Sequence, residues 1–69
     1  MNGYANADTY LASVNILNIE SLYLAASRVA NAFALRNLFV DAVDAGIVVD
    51  ELNIENIEFD EILDAVLGE

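Results

Sequence analysis

Residues 19–46 read IESLYLAASRVANAFALRNLFVDAVDAG, and the spacing of their apolar side chains decides the fold. Ile19, Leu22, Tyr23, Ala26, Val29, Ala30 and Phe33 recur at i, i+3, i+4 and i+7, the pattern of one face of an α-helix rather than the alternation of a strand. Ala25, Ala26, Ala30, Ala32 and Ala34 add helix propensity and allow a neighbouring helix to approach closely. Leu24 and Leu35 fall off the stripe, so this stretch is expected to be contacted on more than one side. Leu35, Leu38, Phe39 and Ala42 carry the helical spacing on towards Gly46, which is expected to end the helix in the left-handed conformation. No Gly or Pro separates Phe33 from Leu38. Two forms stay open: one long central apolar helix over 19–45, or two helices with a kink near Ala34.

Outward from this stretch, Asn2-Gly3-Tyr4 reads as a turn in a flexible start covering residues 1–7. Asn6 or Asp8 can cap a first helix over 8–17, with Tyr10, Val14 and Leu17 at helical spacing. Asn18 is a cap candidate for the next helix. Beyond Gly46, Ile47-Val48-Val49 is β-branched throughout and offers one short extended segment at 47–49. Asp60 can cap a final helix whose Ile62, Leu63, Val66 and Leu67 face inward and which ends at Gly68. The expected fold is therefore all-α, a single domain over 1–69 with three to four helices.

Charge divides the chain unevenly. Asp8, Glu20, Arg28 and Arg36 cancel within residues 1–40. Residues 41–69 carry ten acids and no base, so the entire net charge of −10 lies there. This segment is also threaded with Leu52, Ile54, Ile57, Phe59, Ile62 and Leu63, so it is expected to fold back on the central helix and hold its carboxylates outward. Nucleic acid and anionic membranes would be repelled, because binding phosphate needs Lys and Arg. The attraction is for basic proteins, one form of which is imitation of nucleic-acid charge. Asp41, Asp44, Asp50, Glu51, Glu55, Glu58 and Glu61 are the candidate partner-binding surface. The alternative is that the acids only keep an apolar chain in solution.

Several chemistries are closed by composition. There is no Cys, His or Lys, which excludes disulfides, thiolate and imidazole metal ligands, Ser–His and Cys–His nucleophiles, and lysine Schiff bases. Gly3, Gly46 and Gly68 stand alone, so there is no glycine-rich phosphate loop. Starting an EF-hand register at Asp50 puts Leu52 and Ile54 where acids are needed and Glu55 where glycine is needed. Paired carboxylates remain, but 69 residues leave little room for a substrate cleft. No cofactor, no metal and no enzymatic activity are expected.

The chain is 58% hydrophobic, and a domain this small buries only about 60% of its unfolded surface. Self-association, a homodimer first, would cover the excess, with Leu22, Tyr23, Ala26, Val29 and Phe33 as the expected contact. Arg28 and Arg36, eight apart, share a face if the helix is continuous, and are expected either to pair with C-terminal acids or to touch a partner. Tyr4, Tyr10 and Tyr23 read either as recognition residues or as amphipathic core. The apolar stretch is interrupted by Glu20, Arg28 and Arg36, and the first ten residues have neither a basic nor an apolar region. A soluble, cytoplasmic protein is the expectation.

Asn2-Gly3-Tyr4-Ala5-Asn6, then Thr9-Tyr10, then Glu20-Ser21-Leu22-Tyr23-Leu24-Ala25 resembles a group of small uncharacterised proteins from tailed phages, many infecting marine cyanobacteria. That group is similar in its Asn-rich start, Thr-aromatic pair, Leu-Tyr-x-x-Ala helix and acidic C-terminal segment. The likeness covers about half the chain. It departs where the group has Trp and this chain has Tyr10, and in lacking Lys. No activity is established for that group, so what the resemblance implies is a viral or marine origin, with the host cytoplasm as location if viral.

Overall fold

A computed structural model describes residues 3–68. It is all-helical: α1 (Ala7–Asn18), α2 (Glu20–Ala26), α3 (Ala32–Asp44), a short 3₁₀ turn (Ile54–Asn56) and α4 (Phe59–Val66). Met1 lies outside the described residues, as does Asn2, so that part of the expected flexible start is not described. Tyr4 is half-buried against the core, its ring 6.2 Å from that of Tyr10.

The long central helix over 19–45 is not formed. Its break falls at residues 27–31 rather than near Ala34. Two local reasons account for this. The end of α2 tightens into i→i+3 bonds, Arg28 N–H to the Ala25 carbonyl at 3.1 Å and Val29 N–H to Ala26 at 3.3 Å. Asn31 then adopts extended backbone, and its Oδ1 accepts from the Ala34 amide at 2.8 Å. An asparagine that offers the next turn a cap competes with continuing the helix through itself.

Asn6 does the same for α1, accepting from Thr9 N–H at 2.8 Å. Asn18, by contrast, caps nothing. Its side-chain amide donates back to the Val14 carbonyl at 2.8 Å, and the single extended residue Ile19 both ends α1 and opens α2. Asp60 is likewise not the cap of α4; it lies inside the first turn, after Glu58. Residues 47–49 form no strand. They leave α3 through a Schellman ending, with Gly46 at φ 80°, Gly46 N–H bonded to Val43 O at 3.1 Å and Ile47 N–H to Ala42 O at 2.9 Å.

The core joins all four helices. Leu35 and Phe39 of α3, Ile16 of α1 and Ile62 of α4 are fully enclosed, and the Phe39 and Phe59 rings meet at 5.8 Å and 60°. Such tilted pairs add about 0.5–1.5 kcal/mol beyond their burial. Val48, Ile57, Phe59 and Val66, all from the acidic part of the chain, belong to this same core. Leu67, expected inward, is half exposed.

Candidate functional site

The acidic part of the chain is fastened to α1 by asparagine, threonine and carboxylate groups. Thr9 is fully buried, and its hydroxyl accepts from the Glu58 amide at 2.9 Å and approaches the Asn56 carbonyl at 3.4 Å. Asn6 Nδ2 donates to the same carbonyl at 2.7 Å. Asn56 Nδ2 donates to Asp8 at 3.2 Å, Asn15 Nδ2 to Asp50 at 2.9 Å, and the Ala5 amide to Glu61 at 3.0 Å. Among the described residues no buried side-chain polar atom is left without a partner. The acidic segment is thus held against α1 from Asp50 to Glu61.

That anchoring sorts the candidate acids. Asp41 and Asp44 are exposed on the last turns of α3, and Glu51, Glu55 and Glu58 are exposed around the 3₁₀ turn. Asp50 is exposed but engaged by Asn15, and Glu61 is half-buried and engaged by Ala5. Among the described residues, no three acids stand close enough to hold a metal ion. What five exposed carboxylates offer is a negative field, which attracts basic side chains.

The residues expected to drive self-association are dispersed. Leu22 and Ala26 are buried in the protein's own core and Val29 is half-buried against it. Tyr23 is 39% exposed, while Phe33 is 70% exposed at the start of α3. The break at 27–31 contains Val29 and places Phe33 on a different helix from Leu22, Tyr23 and Ala26, so the single stripe is divided. Arg28 and Arg36 are both exposed, one in that break and one on α3, and no longer share a helix face.

Between α2 and α3 lies an apolar groove of about 280 Å³. Leu22, Ala25, Leu38, Ala42, Ala45 and Ile47 line it, with Ser21 and Asp41 as its polar members. The sequence places Ile47 in an extended segment; its place in the groove follows from the Schellman turn, which no spacing rule reveals. Thr9, Asn15 and Asn56 were also passed over, because their partners lie 35 or more residues away in sequence.

No family model, no curated protein and no solved structure matches this chain. Among the described residues, no helix is long and apolar enough to cross a membrane.

Proposed function

We propose that this is a small non-enzymatic interaction protein whose acidic surface engages a basic surface on another protein. One observation carries the reading: Glu51, Glu55 and Glu58 point to solvent while Val48, Ile57 and Phe59, alternating with them, are buried. The carboxylates are therefore held on a fold rather than a loose tail, and little ordering entropy is lost when a partner meets them. The described fold spans 28 × 25 × 20 Å, so only acids within about 8–10 Å of one another, a Debye length, reinforce each other's field. The two bases are confined to residues 28 and 36 and do not interrupt the segment. The viral origin suggested by the Asn-rich start and the Leu22-Tyr23-Leu24-Ala25 helix is part of this proposal; such a protein would meet its basic partner in a host cytoplasm.

The test is calorimetric titration with an arginine-rich helical peptide at low and high salt. The comparison is a variant carrying Glu51→Gln, Glu55→Gln and Glu58→Gln. Asp50 is left intact because its carboxylate also holds Asn15. Binding that weakens steeply with salt and drops about tenfold or more in the variant supports the reading. Affinity indifferent to salt, or retained by the variant, overturns it.

A further inference from the structure

The outward face of α3 carries six residues at i, i+3, i+4, i+7, i+8 and i+11: Phe33, Arg36, Asn37, Val40, Asp41 and Asp44. All are exposed except the half-buried Val40. Read along the helix, the face runs from an aromatic ring through a base and an amide to two acids. Its inward counterpart, Leu35, Phe39 and Ala42, is buried, so the outer stripe has no partner within the described fold. A phenyl ring 70% exposed stands at the head of that stripe, one turn before Arg36.

We propose that this face binds a second copy of the chain, α3 against α3 in antiparallel register about a two-fold axis. The charge order is self-complementary in that arrangement and in no parallel one. Centring the axis between Asn37 and Val40 sets Arg36 of each copy opposite Asp41 of the other, so the pair forms twice. The same register carries Phe33 of each copy to the end of the other copy's α3. There Ala45 and Ile47 wall the apolar groove, and Ile47 is 46% exposed. At about 280 Å³ the groove has room for the ring, since a cavity of roughly 150 Å³ already accepts benzene. The contact places a cation beside the acidic C-terminal end of α3, which has no base of its own in its last turn. A two-fold contact of this kind closes on itself and stops at a dimer.

This reading goes beyond binding of a basic partner and rests on α3, sharing Asp41 and Asp44 with the acidic surface but not Glu51, Glu55 or Glu58. Its test is sedimentation equilibrium of the full chain across a wide concentration range. The variants are Phe33→Ser, Arg36→Glu, and the charge swap Arg36→Glu with Asp41→Arg. The wild-type chain is expected to form dimers. Phe33→Ser and Arg36→Glu should each weaken them about tenfold or more, because like charges then face each other or the ring is lost. The swap should restore them, which a merely misfolded Arg36→Glu chain could not do. A wild type that stays monomeric throughout, an Arg36→Glu chain that dimerises as well as wild type, or a swap that fails to restore dimers overturns the proposal. Glu51, Glu55 and Glu58 are untouched in all these variants, so the peptide titration reads the other proposal independently.

Discussion

The hydroxyl of Thr9, fully enclosed on α1, accepts the backbone amide of Glu58 at 2.9 Å and so ties the first helix to the entry of the last. Neither the preceding turn nor a side chain of α4 caps that amide; α4 has no side-chain cap of its own. One buried oxygen therefore does the work of an N-terminal cap from 49 residues away. Replacing Thr9 with Val keeps the shape and removes the acceptor. The expected loss is about 1–3 kcal/mol, the cost of leaving this part-buried amide without its acceptor. In a domain of this size each kcal/mol lowers the melting temperature by roughly 4–8 °C, which thermal denaturation reads directly. Thr9→Ser should keep most of the stability.

Phe39 and Phe33 are six residues apart on one helix and have opposite fates. Phe39→Ala is expected to cost about 3–5 kcal/mol, a large share of the 5–15 kcal/mol total of a typical domain. Phe33→Ser, measured by urea denaturation at a concentration dilute enough for monomer, should change stability by no more than about 0.5 kcal/mol. Equal effects at the two sites would mean that α3 is rotated from the orientation described.

Asn31 is the reason α3 begins where it does, through its 2.8 Å bond from the Ala34 amide. Asn31→Ala should destabilise by about 0.5–2 kcal/mol, while Asn31→Asp or Asn31→Ser, which keep an acceptor, should be close to neutral. Circular dichroism with thermal melting distinguishes them.

Asp44 closes α3 at the end where the helix dipole is negative, and that last turn contains no base. Asp44→Lys should stabilise by about 0.3–1 kcal/mol at low salt, with the gain shrinking as salt screens it. A gain that persisted unchanged in high salt would point to packing instead.

Much of the local structure was legible in the residues. The cap offered by Asn6 or Asp8, the ending at Gly46 and the helical spacing of Leu35, Leu38, Phe39 and Ala42 all follow from rules that act within one or two turns. The break at 27–31 is not legible because the alanine-rich stripe obeys helical spacing on both sides of it, and Asn31 inside that stretch is equally compatible with a helical residue or a cap. The polar residues that fasten the acidic segment were missed for a different reason. Thr9, Asn15 and Asn56 act on partners brought near only by folding, and a threonine inside a helix looks the same whether its hydroxyl meets a neighbouring carbonyl or a distant amide.

The sequence by itself determined that this chain is helical, that its charge of −10 lies wholly beyond residue 40, and that chemistry requiring His, Cys or Lys is closed to it. Those conclusions depend on composition and on periodicities of a few residues, which no tertiary contact can alter. Only the tertiary structure decided which face of each helix is the inner one. Burial is a contest between all the apolar faces of the chain for one small interior. Leu35, Phe39 and Ile62 occupy that interior with Leu22 and Ala26, and Phe33 is left in water, so the apolar stripe of residues 19–33 is divided between the core and the surface.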